Sequence, residues 1–225
     1  MLQRILEPEV MDTVAEAEDY NAMDHSAVNG VFVDDFLMAL QDVTPESSSC
    51  WTIFDAGTGT ALIPLELVRR NVPVAITAAD LAEEMLVVAR RNLAAAGDPQ
   101  AIQLVRGDCK RIDFADGTFD AVISNSIVHH IPEPVDVFRE CWRIVRPGGL
   151  LFIRDLMRPT SVTEWNHLVE THAGSANAHA QQMFRDSLHA ALMVEEVAEV
   201  MRSLGIPGVV RATSDRHWTL TAIKD

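Results

Sequence analysis

From residue 50 onward the chain alternates between two hydrophobic periods. Short runs dense in apolar and β-branched residues occupy positions 51–55, 74–80, 102–106, 119–124 and 150–155. Between them, at 61–70, 82–96 and 135–145, apolar residues recur every three or four positions, the spacing of one helix face. A strand buried on both sides reads as a continuous apolar run, so the alternation predicts a parallel sheet with crossover helices. Gly97-Asp98-Pro99 and Pro147-Gly148-Gly149 punctuate the ends of elements.

The flanking segments follow other rules. Positions 206–213 and 217–223 predict two strands joined by Ser214-Asp215-Arg216, a connection short enough only for a hairpin. The final strand is therefore expected to run antiparallel to its neighbour. Helical spacing over 162–172, 177–190 and 194–204 predicts a helical insertion before those strands, and 8–41 predicts two helices before the sheet. The expected fold is α/β: a doubly wound seven-stranded sheet, mostly parallel with an antiparallel final strand. No internal repeat or second domain is visible.

Composition narrows the partners. The 225 residues fit one compact domain, and 48% hydrophobic with 23% charged is ordinary for a globular chain. No apolar run approaches the roughly 18–20 residues that span a bilayer, and the N-terminus lacks signal-peptide character, so no membrane partner and a cytoplasmic location are expected. Cys50, Cys109 and Cys141 form no pair or metal spacing, which suits a reduced compartment. The net charge is −15, and the first 60 residues carry 12 Asp/Glu against a single Arg. With no basic stripe to neutralise phosphates, nucleic acid is not an expected partner.

Four strand ends carry the candidate chemistry. Asp55-Ala56-Gly57-Thr58-Gly59-Thr60 ends the first strand and opens a helix, a turn that lets a ligand approach backbone amides. Leu62 stands where a dinucleotide fingerprint has its third glycine, which counts against a nicotinamide enzyme. Asp80 ends the second strand, where an acid can accept ribose hydroxyls. It also fits a helix N-cap, with Glu83 three residues on. Gly107-Asp108-Cys109 follows the third strand, and the fourth runs into Asn125 and Ser126. Open α/β sheets bind ligands at the carboxyl ends of their strands, so these four ends converge.

Taken in order with Phe119-Asp120-Ala121-Val122 and Arg146-Pro147-Gly148-Gly149, these motifs resemble class I S-adenosylmethionine-dependent methyltransferases of Rossmann-like fold. The nearest likeness is the small-molecule group that includes the ubiquinone/menaquinone C-methyltransferases. The resemblance implies that Asp55, Gly57 and Gly59 hold the methionine end and Asp80 the ribose. It implies that Leu81 and Met85 pack near the adenine, with Asp108 on its amino group and the Cys109 amide beside it. Asn125 and Ser126 would line the methyl-donating end, and Tyr20 would cover it or simply pack in the core. The implied segments are an N-terminal cap (1–48), a cofactor-binding core (49–159), a helical lid (160–204) and closing strands (205–225).

A general base is required only if the acceptor must lose a proton. His129 and His130 follow the Asn125-Ser126 turn and are candidates, as are Asp155 and Arg158 after the fifth strand; a plain Asp–Arg pair fixing that loop is the structural alternative. Arg185 and His189 share a helix face that either lines a substrate lid or meets solvent. His167, His172 and His179 have no compact ligand spacing, so no metal is expected. The acidic N-terminal segment reads first as a solvated helical surface; covering the site in cis or contacting a second subunit, as in a homodimer, are the alternatives. Methylation of a small-molecule acceptor by in-line displacement is the expected function; the alternative is a non-catalytic cofactor-binding regulatory or partner protein.

Overall fold

The computed structural model describes residues 2–8, 10, 12–45 and 50–225; the expected boundary at 48/49 lies outside the described residues. Among the described residues there are seven strands: β1 (Trp51–Ala56), β2 (Val74–Asp80), β3 (Ile102–Arg106), β4 (Phe119–Asn125), β5 (Val145–Leu156), β6 (Gly208–Ala212) and β7 (His217–Ile223). They form one sheet in the order β3-β2-β1-β4-β5-β7-β6. The pairs from β3 across to β5 are parallel, and β7 is antiparallel to both β5 and β6. The doubly wound sheet with an antiparallel final strand is thus as expected.

Burial on both faces explains why the strands read as apolar runs. On β1, Ile53 packs into one core with Phe32, Phe36, Ile63 and Leu67, while its neighbour Phe54 packs into the other with Phe119 and Phe138. Helices α2 (Ser26–Leu40) and α3 (Leu62–Arg69) cover the first face. Helices α5 (Val135–Ile144) and α8 (Val194–Leu204) cover the second, where Val197 and Met201 join Cys141 and Trp218. Helix α8 is therefore part of the sheet's packing. Within the expected lid only α6 (Val162–Ala173) and α7 (Ala178–Ala190) form a separate layer, around Leu168, Val169 and Leu188.

The first helix starts later than the sequence pattern predicts. Helix α1 (Val14–Ala22) opens at Thr13, whose Oγ1 accepts from the Glu16 amide at 3.2 Å while the Glu16 carboxylate accepts from the Thr13 amide at 3.1 Å. Before it, Pro8 biases residue 7 away from helical geometry. Residues 2–8 instead cross the molecule, and the Ile5 amide donates to the carbonyl of His189 at 3.2 Å. Helix α1 packs on α4 (Glu83–Ala95) through Ala17, Met85 and Val88.

The chain steps from β1 to β2 and β3 in one direction, then returns to lay β4 and β5 on the other side. That reversal opens a crevice beyond the carboxyl ends of β1 and β4. At the opposite end Asp120 clamps the same two strands, accepting from the Thr52 amide (2.8 Å), the Thr52 hydroxyl (2.7 Å) and Arg146 Nε (2.7 Å).

Candidate active site

The glycine turn leaves β1 at Gly57, with φ +73°, and the amides of Gly57 and Thr58 both donate to the carbonyl of Ala79 on β2 at 2.9 Å. A Cβ on Gly57 would lie 2.3 Å from Ile127 Cγ2, so this position needs glycine for space as well as for its left-handed backbone. Helix α3 then begins at Leu62, one residue later than expected, after Ala61 in the left-handed region.

Asp80 is not the N-cap of the next helix. Helix α4 begins at Glu83 with Ala82 at its cap, and the Asp80 carboxylate spans two loops instead. One oxygen accepts from the Gly59 amide at 2.7 Å and the other from the Ala82 amide at 2.9 Å. The bridge fixes the acid at the rim of the crevice and ties the glycine turn to β2.

Around this bridge runs a cleft lined by Gly57, Gly59, Leu81, Met85, Cys109, Asn125 and Ser126, with Asp108 at its border and Val10 and Tyr20 above. Tyr20 is held by a stacked contact with His25, ring centroids 4.5 Å apart. Asp55 lies at the back, in an adjoining small cavity shared with Tyr20, Asn29 and Asn125. The structure thus brings together every residue expected to hold the donor.

The polar atoms of this back wall identify what fits there. Among the described residues, Asp55 Oδ2, Thr60 Oγ1 and Asn125 Oδ1 are buried without a hydrogen-bond partner. A buried polar atom left unpaired is costly; the threonine hydroxyl can turn to donate or accept, but Asp55 Oδ2 and Asn125 Oδ1 accept only and call for N–H groups. An ammonium meets that need. Burial, reinforced by the Asp80 charge, pushes the Asp55 carboxyl up to about 7, and a cation beside it favours the carboxylate. The chemistry of the wall fits an ammonium such as the methionine end of S-adenosylmethionine carries.

The four residues expected to complete the chemistry separate into two groups. His130 faces the cleft. His129 is buried behind it, and its Nδ1 lies 2.5 Å from Asp155 Oδ1. The other Asp155 oxygen accepts from the amides of Val128 (2.5 Å) and His129 (3.1 Å), so this acid shapes the 3-10 turn Val128–His130. Burial opposes charge on His129, but Asp155 and then Glu7 outweigh it and raise its pKa; burial and the His129 charge push His130 down to about 3.

Arg158 lies elsewhere. Its guanidinium donates to the Ala191 carbonyl at 2.8 Å and pairs with Glu196 at 2.5 Å, so it joins β5 to α8, and the simple Asp155–Arg158 pair does not form. Arg158→Met is expected to cost about 2 kcal/mol, a fall of about 4–8 °C in melting temperature, with donor affinity unchanged. A thermal scan beside a calorimetric titration checks both. Arg185 and His189 turn to Trp165 on α6, at 5.3 Å and 5.0 Å, so their shared face holds two helices together.

Two residues of the N-terminal segment enter the site unannounced by the sequence pattern. Arg4 donates to the carbonyls of Ala190 (2.6 Å), Pro132 (3.1 Å), His129 (3.2 Å) and Ile131 (2.9 Å). Glu7 then places Oε1 3.1 Å from His130 Nδ1 and 3.5 Å from His129 Nε2. The signal available was that Arg4 is the single Lys or Arg in the first 60 residues.

The chain resembles known proteins in both sequence and fold. The methyltransferase-domain family matches residues 54–153. The demethylmenaquinone methyltransferase of Desulfitobacterium hafniense (strain Y51) is 30% identical over 175 residues, covering 72% of this chain and 68% of the relative. The phosphatidylethanolamine N-methyltransferase of Cereibacter sphaeroides is 36% identical over 102 residues, 45% of this chain and 48% of the relative. Among solved structures, a candidate S-adenosyl-L-methionine-dependent methyltransferase from Methanococcus maripaludis superimposes with a TM-score of 0.74. That match has 18% identity and covers 98% of both chains.

Proposed function

Because this chain belongs to the class I S-adenosylmethionine-dependent methyltransferases, we propose that it methylates a small-molecule acceptor by in-line displacement. The observation that carries the reading is the position of His130. It lines the donor cleft beside Asn125 and Ser126 and also a second cavity of about 310 Å³ bounded by Glu7, Met183 and Asp186. An acceptor held in that cavity meets the donor across His130. The strongly acidic first 60 residues and the covering Val10 and Tyr20 favour a small molecule over a polyanion.

S-adenosylmethionine, when bound, supplies a methyl group on a sulfonium. In the proposed arrangement Asp55 takes the ammonium, Asp80 the ribose hydroxyls, and Asp108 the adenine amino group, with the Cys109 amide beside it. Leu81 and Met85 pack against the base. Asn125 and Ser126 line the methyl end while Tyr20 excludes water. His130 contacts the acceptor; His129 and Asp155 act through it as positioning residues. A displacement at carbon gains from such positioning and desolvation without further covalent chemistry.

The test is release of S-adenosylhomocysteine by purified protein with a panel of quinol, phenol, amine and thiol acceptors. Acceptor-dependent release supports catalysis. Tight donor binding with no release across the panel favours the alternative, a cofactor-binding regulatory or partner protein.

Donor binding itself is expected to depend on pH. Asp55 is held up to about 7 without ligand, and an ammonium beside it favours the carboxylate. Below that value binding must expel the proton, so affinity falls as pH falls. From pH 7 to pH 6 the Kd is expected to rise about fivefold, and Asp55→Asn should flatten that slope. Titration calorimetry in two buffers of different ionisation enthalpy reads the proton released.

A further inference from the structure

Donor binding leaves unexplained why two imidazoles and a carboxylate from opposite parts of the chain converge under the N-terminal segment. We propose that Glu7, His129 and His130 form a binding site for one divalent transition-metal ion of the zinc type, opening onto the 310 Å³ cavity.

The geometry of the cluster is that of a ligand set. One ligand atom from each residue lies within 4.8 Å of the other two. Glu7 Oε1 is 3.5 Å from His129 Nε2 and 3.1 Å from His130 Nδ1. With metal–ligand bonds of about 2.0–2.1 Å, neighbouring donors of a tetrahedral site stand about 3.3 Å apart. The two edges through Glu7 bracket that value, and the third, between the two histidines, is within 4.8 Å.

The surroundings prepare the donors. Asp155 holds His129 Nδ1 at 2.5 Å, so Nδ1 keeps its proton and Nε2, which faces Glu7, is the nitrogen that gives up its proton when an ion binds. A carboxylate behind a ligating imidazole is the usual outer support of such a site. Among the described residues, Glu7 Oε1 and His130 Nδ1 are buried without a hydrogen-bond partner, although they face each other. An ion between them satisfies both. Two imidazoles with one carboxylate suit zinc or another first-row ion over magnesium or calcium, which prefer oxygen.

Three protein ligands leave at least one coordination position open, and the cavity beside Glu7 and His130 is where it opens. The fourth ligand is then a water or an acceptor's thiolate, phenolate or amine; this last clause rests on the proposed methyl transfer, whereas the ion site does not. The histidine spacings 167, 172 and 179 gave no reason to expect a metal, because these ligands come from residues 7, 129 and 130 instead.

The test uses the full chain without a histidine tag, stripped with chelator, titrated with Zn²⁺ by calorimetry and with Co²⁺ by visible absorption. One equivalent should bind saturably. Glu7→Gln and His130→Ala should each weaken it about tenfold or more, a loss comparable to removing a support of a metal site. His172→Ala, whose ring pairs with Asp215 beyond α6, should bind as the parent does. S-adenosylmethionine titration of Glu7→Gln reports that the fold survives. Absence of saturable binding, or binding unchanged in both variants, overturns the site. Metal binding without acceptor turnover would instead sink the catalytic reading and leave the site standing.

Discussion

Asp80→Asn is expected to weaken S-adenosylmethionine binding about a hundredfold while moving the melting temperature by only about 2–3 °C. The Asp80 carboxylate already serves the Gly59 and Ala82 amides, one per oxygen, and its remaining lone pairs face the cleft. The amide keeps one acceptor and turns an NH₂ toward whichever backbone amide it no longer serves. The ribose hydroxyls lose a charged acceptor, and hydrogen bonds to charged groups contribute about 1.5–3 kcal/mol each. Folding suffers little because burial already raises the pKa of this acid, so a neutral amide removes a desolvation cost as well as a bond. Calorimetry gives the affinity and a thermal scan the stability. A variant that binds within about threefold of the parent would remove Asp80 from the ribose contact.

Gly57→Ala should be severe in both respects. Its backbone sits at φ +73°, which costs an L-residue about 1–2 kcal/mol. The new methyl meets Ile127 Cγ2 at 2.3 Å and Cδ1 at 2.7 Å, so Ile127 must swing into the cleft it lines. Together these predict a loss of about 3 kcal/mol or more, a fall of about 6–12 °C, and no measurable donor binding. The added change Ile127→Ala gives the methyl room. It should recover the steric part of the stability but not the backbone part, which a double-mutant cycle separates. Equal stability of Gly57→Ala and the double variant would show that Ile127 is not the obstacle.

The strands were legible because burial on both faces makes a local pattern. β2 and β3 have the expected limits, and β1 and β4 run one residue further. The candidate cleft was legible for a related reason: most of the residues expected to line it sit at or just past strand ends that the topology must bring to one edge. Side-chain direction was less accessible. Arg154, Asp155 and Arg158 all lie near the end of β5, yet they reach Asp35, His129 and Glu196 respectively. Strand-end position names the neighbourhood, and the period of two sends adjacent residues to opposite faces. Glu7 was invisible for a different reason. Its place beside His129 is set by Arg4 binding four carbonyls and by Pro8, and the pairing spans 122 residues of sequence. No local periodicity records such a contact.

The join between β1 and β4 also bears on how the chain reaches its native state. β1, β2 and β3 are linked by short crossovers and can assemble as soon as residue 106 has been made. The other edge of β1, with Ile53 and Phe54, pairs only with Ala121 and Val122. During synthesis that apolar edge waits uncovered for about a second or more, at roughly 5–20 residues per second. The nascent half-sheet is therefore a ready target for chaperones and for edge-to-edge aggregation. Arrival of β4, fixed to β1 by Asp120 and Thr52, covers that edge and passes the open one to β4, which waits in turn for β5.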